Sequence, residues 1–217
     1  MSSRLVLGPV LHLIVAGTFA GALCLEPVVA QEPAKRVLFV GNSFTFGNDV
    51  PRLVAELSLS RDPPLRLDVH MVARDGMTLE RHWREGDVAR RLGAERWDVV
   101  VLQEQGSRPL SEPARMETYA RRLAALARAA GAEVILFQTW ARLDQPETEE
   151  PRAAAYRRIA NAIEATVAPV GVAWSRTRRQ HPSLRLHAED GIHANPVGAR
   201  LAASVILDTI LALGPRR

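Results

Sequence analysis

Short apolar runs alternate with longer segments of helical periodicity, and this alternation constrains the fold more than any other feature of the chain. The apolar runs are Arg36–Val40, Leu65–Val72, Trp97–Leu102, Glu133–Phe137 and a weaker fifth, Gly171–Trp174. Apolar residues recur at helical spacing in Val50–Ser58, Thr78–Leu92, Glu112–Ala130, Pro151–Val167 and Pro196–Leu213. Buried strands that alternate with helices are typical of a parallel sheet with helices on both faces. We therefore expect a three-layer α/β/α sandwich with a mostly parallel sheet of five strands.

The N-terminal segment, residues 1–30, has the pattern of a secretory signal peptide. Arg4 precedes an apolar run from Leu5 to Leu25, and small residues end the segment at Ala30. We predict cleavage after Ala30, so that the mature domain is formed by residues 31–217 and the protein is secreted or periplasmic. An uncleaved membrane anchor is the alternative, because the apolar run is close to the length that spans a bilayer.

Composition limits the chemistry that the mature domain can use. Cys24 is the only cysteine and lies in the predicted signal segment, which excludes cysteine nucleophiles, disulfides and cysteine-based zinc sites from the mature chain. The sequence is 47% hydrophobic and 24% charged, which favours a folded domain over a disordered chain. The net charge is +4, but acidic residues are interleaved with the arginines along the predicted helices. This pattern favours solvated helix faces over nucleic-acid binding.

A serine follows the first predicted strand at the point where a helix begins. Gly41, Asn42 and Ser43 come directly after this strand, which places the Ser43 hydroxyl at the edge of the sheet where α/β proteins bind ligands. The start of a helix also favours negative charge near the Ser43 N–H. Ser43 is therefore a candidate nucleophile, and a helix-capping role is the alternative.

A candidate base for this serine lies near the other end of the chain. Asp190 and His193 are three residues apart in a loop before the last predicted helix, so their side chains can lie side by side. A serine nucleophile needs a base, and the base needs a carboxylate that fixes its tautomer. The alternative for this pair is an ordinary surface turn.

Groups that can stabilise an oxyanion follow the second and third predicted strands. Gly76, directly after Asp75, can present its backbone N–H closely to a substrate because it lacks a Cβ. Gln103 and Gln105 can donate from their carboxamides without adding a charge, and they share one side of the strand, opposite Glu104. We favour Gln103, which comes first after the apolar run. An ordinary turn and capping of the strand end are the alternatives.

Together these short motifs resemble the four ordered blocks of the SGNH (GDSL-like) hydrolase superfamily. The counterparts are Gly41-Asn42-Ser43, Gly76, Gln103–Ser107 and the pair Asp190 and His193, within residues 35–213. The resemblance implies a flavodoxin-like α/β/α fold and ester hydrolysis through an acyl-serine intermediate. It also implies a catalytic triad of Ser43, Asp190 and His193, and an oxyanion hole formed by the Ser43 and Gly76 N–H groups with a side-chain amide.

Two positions depart from the usual pattern of this family. Asn42 stands where the first block usually has aspartate, and the third block has glutamine where asparagine is usual. Because some branches of the family carry a glutamine-containing third block, the resemblance transfers the side-chain oxyanion role to Gln103 or Gln105.

Other candidate residues are predicted to have lesser roles. Trp140, after the fourth strand, is predicted to line the substrate pocket, with a passive rim position as the alternative. His82 is predicted to pack in the core. The histidines near Asp190 suggest a metal cluster, but metal binding by His193 would remove the base for Ser43. We therefore expect no metal and no cofactor.

The leading hypothesis is a secreted serine esterase that acts on small acyl esters, such as acetyl groups, including those of carbohydrates. One alternative is a flavodoxin-like phosphate or flavin cradle at Ser43–Gly47, which leaves Asp190 and His193 without a role. Another is an SGNH fold that binds ligands without turnover. The expected partner is a small-molecule or carbohydrate ester, with no nucleic acid and, after signal removal, no membrane. The sequence does not fix the oligomeric state.

Overall fold

The structure, a computed structural model, describes residues 34–214. One sheet has the strand order β2-β1-β3-β4-β5, and every neighbouring pair is parallel. The strands are β1 Lys35–Gly41, β2 Leu67–Ala73, β3 Val99–Leu102, β4 Glu133–Phe137 and β5 Thr166–Ala168. The α-helices are α1 Ser43–Phe46, α2 Val50–Leu59, α3 Leu79–Glu85, α4 Asp87–Ala94, α5 Arg108–Ser111, α6 Pro113–Ala129, α7 Glu149–Ile163, α8 Val170–Gln180 and α9 Pro196–Ala212. The predicted signal peptide, residues 1–30, lies outside the described residues.

Two buried clusters divide the helices into layers on opposite faces of the sheet. Leu38 and Val40 of β1 pack with α3, α4, α6 and α7 on one face. Val37 and Phe39 of the same strand pack with α2, α8 and α9 on the other. Successive residues of β1 thus alternate between two apolar layers, which explains why the strand is apolar throughout. The predicted three-layer α/β/α fold is confirmed.

The fifth strand does not lie where the sequence predicts it. Gly171–Trp174 belongs to α8, and β5 is Thr166–Ala168, which begins within the last two residues of the predicted helix Pro151–Val167. The preceding helix α7 closes at Glu164, which adopts a left-handed φ of 54°. A strand of three residues between two helices is too short to show an alternating pattern.

The predicted helix Thr78–Leu92 consists of two helices, α3 and α4. Gly86 separates them with a φ of 77°, a conformation that glycine adopts without strain. Among the described helices, none combines the length and apolar character needed to cross a membrane.

The strand order gathers several loops at one edge of the sheet. Because β1 lies between β2 and β3, the loops after these three strands are neighbours at their carboxyl ends. Helix α9 packs against α2 and α8, and Asn195 caps it by accepting the N–H of Gly198 at 2.9 Å. These contacts fix the start of α9 and the loop that precedes it.

Gly198 sets how closely α9 approaches this loop. A Cβ at Gly198 would overlap the carbonyl oxygen of Leu186 and lie 2.6 Å from Trp174 Cζ2. We predict that Gly198→Ala lowers the free energy of unfolding by about 1–3 kcal/mol, because overpacking forces the backbone to shift. Urea denaturation measures this change.

Gly93→Ala is the matched control, since Gly93 is also helical but has open space around it. It should change stability by no more than about 1 kcal/mol, in the stabilising direction. Equal effects of the two substitutions would show that α9 does not depend on this close approach.

Candidate active site

The first loop presents Ser43 at the beginning of α1. Asn42 caps this helix, because its Oδ1 accepts the N–H of Phe44 at 3.2 Å. Gly41 allows the chain to turn here, since a Cβ at this position would overlap Thr45 Oγ1 and Gln103 Oε1. Ser43 is therefore fixed by backbone geometry at the carboxyl end of β1.

Ser43, His193 and Asp190 form a continuous hydrogen-bonded chain. The Ser43 hydroxyl lies 2.9 Å from His193 Nε2, and His193 Nδ1 lies 2.6 Å from Asp190 Oδ2. With the Nδ1 proton donated to Asp190, Nε2 is free to accept the proton of Ser43. The three predicted triad residues are thus brought together in the order that nucleophilic catalysis by serine requires.

Asp190 is held in its ionised form. Its Oδ1 accepts the backbone N–H groups of Ile192 at 2.8 Å and His193 at 2.9 Å. The hydrogen bond from the His193 side chain, followed by these two N–H groups, lowers the pKa of Asp190 to about 2. The carboxylate therefore stays charged wherever the imidazole changes its protonation state.

The loop that carries His193 is anchored from two sides. Gly191 adopts a φ of 66°, and its carbonyl accepts the N–H of Leu143 at 2.8 Å. Trp140 donates its indole N–H to the carbonyl of Ile192 at 2.9 Å. These contacts leave the imidazole little freedom to turn away from Ser43.

Trp140 does not line the substrate pocket as predicted. It is 3% exposed and stacks on Trp174 at a centroid distance of 3.9 Å and an interplanar angle of 5°. Two further aromatic rings lie close to it, Phe44 at 5.1 Å and Phe137 at 6.3 Å. The buried indole supports the loop that carries His193. The position of Trp140 after β4 in the sequence did not indicate this buried supporting role.

Gly76 lies on an exposed turn after β2. It adopts a φ of 61°, and a Cβ there would meet no neighbouring atom. The turn is tied to the first loop, because Asn42 donates its side-chain N–H to the carbonyl of Met77 at 2.8 Å. Asp75, in the same turn, lines a pocket together with Ser43. The oxyanion role of the Gly76 N–H stays a prediction.

Gln103 is not the oxyanion donor that the sequence favoured. Its side chain is fully buried, and its Oε1 accepts the Asn42 N–H at 2.8 Å and the Thr45 hydroxyl at 2.9 Å. These two donors fix the orientation of the amide, so its Nε2 faces the backbone carbonyl of Glu104 at 2.5 Å. Gln103 instead joins the third loop to the first.

Gln105 is half-buried and remains the candidate donor. The hydrogen bonds that the structure gives its side chain fall on Oε1, which accepts the Ser107 N–H at 2.9 Å and the Ser107 hydroxyl at 2.7 Å. Gly106, the next residue, lies against Phe44, since a Cβ there would be 3.2 Å from the Phe44 ring. The third loop therefore borders the residue that follows Ser43.

A pocket of about 290 Å³ opens beside the triad. The residues lining it are Ser43, Phe44, Phe46, Gly47, Asn48, Asp75, His193 and Ala194. Aromatic side chains supply much of its wall, and Asp75 adds one carboxylate. The pocket has room for a small acyl group close to the Ser43 hydroxyl.

Two further histidines, His82 and His187, are buried in the structure. His82 is 1% exposed, as predicted, and donates from Nε2 to the carbonyl of Gly41 at 2.8 Å. Burial lowers the pKa of His82 and of His187. Within residues 34–214, no group of three or more His, Cys, Asp or Glu side chains converges as metal ligands would.

Sequence reasoning gave Glu104 no role at the site, yet it is fully buried beneath the third loop. Its Oε1 accepts the N–H of Gln105 at 2.7 Å. The sequence did contain one signal for this role, an acidic residue that directly follows a buried strand.

Comparison with solved structures identifies the family, whereas no protein-family model and no curated protein matches the sequence. A protein from Slackia heliotrinireducens assigned to the SGNH hydrolases is 30% identical, with a TM-score of 0.71 over 82% of this chain and 100% of that one. The chain belongs to the SGNH hydrolases. The resemblance seen in the sequence is thereby confirmed.

Two further structures share the fold of this SGNH hydrolase at lower identity. TesA is 20% identical, with a TM-score of 0.64 over 81% of this chain and 98% of its own. Axe2, an acetylxylan esterase from Geobacillus stearothermophilus, is 17% identical, with a TM-score of 0.63 over 81% of this chain and 94% of its own.

We predict that Asp190→Asn lowers kcat for p-nitrophenyl acetate by up to about 10⁴-fold, because an amide donor facing Nδ1 selects the wrong imidazole tautomer. Since the pKa of Asp190 is held at about 2, Asp190 stays ionised throughout the neutral range, so the difference in kcat between the wild type and Asp190→Asn should persist across that range. A kcat–pH profile of both proteins tests this.

Asp144→Asn is the matched control, because Asp144 is an exposed carboxylate that pairs with Arg142 in a neighbouring loop. Its profile should equal that of the wild type. Full activity of Asp190→Asn would contradict the assigned role of Asp190.

Proposed function

We propose that this SGNH hydrolase is a serine ester hydrolase that acts through an acyl-serine intermediate on small acyl esters. The observation that carries the proposal is the chain of contacts from Ser43 through His193 to Asp190, with heavy-atom distances of 2.9 and 2.6 Å. These are hydrogen-bond distances that need no rearrangement before proton transfer.

In the proposed mechanism, His193 Nε2 takes the proton of Ser43 as Oγ attacks the ester carbonyl. The carbonyl oxygen becomes an oxyanion, which accepts hydrogen bonds from the N–H groups of Ser43 and Gly76 and from the Gln105 amide. The imidazolium, stabilised by Asp190, then gives its proton to the departing alcohol. Water, activated by the same imidazole, releases the acid and restores the Ser43 hydroxyl.

We propose acetyl or a similarly small neutral group as the acyl part. The pocket beside Ser43 has a volume of about 290 Å³, which suits a short chain. Asp75 lines this pocket, and its negative charge opposes an anionic acyl group. The names of structural neighbours that are acetylxylan esterases agree with a carbohydrate as the alcohol part.

The two binding alternatives are less favoured by the contacts at Ser43. The N–H of Phe44 is occupied by Asn42, so the start of the four-residue helix α1 does not offer an open phosphate cradle. The contacts from Asp190 through His193 to Ser43 serve proton transfer, which a binding protein does not need.

We also propose that the enzyme is exported and that residues 1–30 are removed. N-terminal sequencing of the protein recovered outside the cytoplasm should then begin near Gln31. An intact Met1 in that material would favour the anchor instead.

The experiment that tests the proposed function is Ser43→Ala, assayed with p-nitrophenyl acetate and with acetylated xylo-oligosaccharides. Removal of the nucleophile should lower kcat by about 10⁴-fold or more. Thermal stability should change little, because the hydrogen bond that the structure gives the Ser43 hydroxyl is to His193.

Ser60→Ala controls for loss of a serine hydroxyl at an exposed site, the end of α2. It should keep full activity on both substrates. Hydrolysis by Ser43→Ala at the wild-type rate would disprove the acyl-serine mechanism.

A further inference from the structure

The loop that presents Gln105 is held from beneath by a buried carboxylate. Glu104 is 0% exposed, and its Oε1 accepts the Gln105 N–H at 2.7 Å. The same oxygen accepts the N–H of Leu79 at 3.2 Å. Glu104 therefore contacts backbone groups from two different loops rather than other side chains.

A buried cation holds the next peptide group of the same loop. Arg152 of α7 is 4% exposed and donates from its guanidinium to the carbonyl of Gly106. The Gln105 N–H is thus bound by the Glu104 carboxyl group and the Gly106 carbonyl by the Arg152 guanidinium. A hydrogen bond from a charged guanidinium is stronger than a neutral one, so this segment is firmly fixed.

The second contact of Glu104 reaches the loop that contains Gly76. Leu79 begins α3, three residues after Gly76, and the carbonyl of Met77 between them is bound by the Asn42 side chain. A single carboxylate oxygen therefore joins the segment that bears the Gly76 N–H to the segment that bears the Gln105 amide.

We propose that Glu104 is a positioning residue for the oxyanion hole, which sets the distance between the Gly76 N–H and the Gln105 amide, with Arg152 fixing the far side of the Gln105 loop. This inference rests on the proposed esterase function. Because oxyanion donors act through preorganisation, a displacement of either donor lowers the rate of the chemical step more than it weakens substrate binding.

The surroundings of Glu104 are unfavourable for a carboxylate that serves stability alone. Burial raises the pKa of Glu104 to about 7, against the opposing effects of the Gln105 and Leu79 N–H groups and of Arg108. Its Oε2 is buried without a hydrogen-bond partner among the described residues. A buried carboxylate is costly unless it is hydrogen-bonded, so its presence here is best explained by the two backbone N–H groups that it holds.

The test compares Glu104→Leu, which removes both oxygens, with Glu104→Gln, which keeps one carbonyl acceptor. For p-nitrophenyl acetate, Glu104→Leu should lower kcat by about 10²-fold and change KM by less than about threefold. Glu104→Gln should recover most of kcat.

The second readout is the Ki of phenylboronic acid, which with Ser43 forms a tetrahedral anion that uses the same oxyanion donors. Its Ki should rise for Glu104→Leu in parallel with the loss of kcat.

Glu80→Leu is the matched control, because Glu80 is also buried and lies on α3. Its ion pairs are with the side chains of Arg84, Arg108 and Arg115, and the structure gives it no hydrogen bond to the N–H of Gln105 or of Leu79. This change should lower thermal stability and leave the Ki of phenylboronic acid unaltered. Because Ki does not depend on the fraction of folded enzyme, it separates positioning from stability.

Arg152→Met gives a second variant should Glu104→Leu fail to fold, and it should also lower kcat and raise the Ki of phenylboronic acid. Wild-type values of kcat and Ki in Glu104→Leu would overturn the proposal. If only Arg152→Met folds, wild-type values of kcat and Ki in that variant would overturn it. An equal rise in Ki for Glu80→Leu would overturn it as well. Neither outcome affects the esterase proposal, which the Ser43→Ala variant tests separately.

Discussion

The hydrogen bond between His193 and Ser43 joins residues 150 positions apart in the chain. Its formation requires β1 in the interior of the sheet, α9 packed on one face and a rigid loop before α9. The buried Trp140, which holds the carbonyl of Ile192, supplies part of that rigidity. Much of the fold can therefore be understood as the support that keeps an imidazole 2.9 Å from one hydroxyl.

Side chains, rather than regular secondary structure, connect the loops around this bond. Asn42 bridges the first and second loops, Gln103 bridges the first and third, and Glu104 bridges the second and third. Each bridge is buried and binds at least one backbone group, so the loops share one arrangement. This explains how a site made of exposed turns can hold preorganised donors.

The sequence predicts the general fold and the triad because both depend on local signals. Apolar runs, with alternating polar residues in the second, identify the first four strands. Short motifs after the first strand and before the last helix predict Ser43, Asp190 and His193, and the fold brings these three side chains together. The fifth strand was misplaced, since the three residues Thr166–Ala168 carry no pattern of their own. Gly171–Trp174 is apolar because it belongs to the buried face of a helix.

The roles of the polar side chains in the loops could not be obtained in the same way. Gln103 and Gln105 are equivalent by their spacing in the sequence. In the structure, the N–H of Asn42 donates a hydrogen bond to the side-chain oxygen of Gln103, which fixes the Gln103 amide in an orientation away from the site. The burial of Trp140 is likewise decided by Trp174, which is distant in sequence. Such outcomes depend on tertiary contacts that no short motif encodes.

The most direct test of this account is to treat the enzyme with a serine-reactive p-nitrophenyl phosphonate and to locate the adduct by peptide mass spectrometry. The account predicts a single adduct on Ser43, formed rapidly in the wild type and far more slowly in His193→Ala. An adduct on another serine, or labelling of Ser43 at the same rate in both proteins, would contradict it.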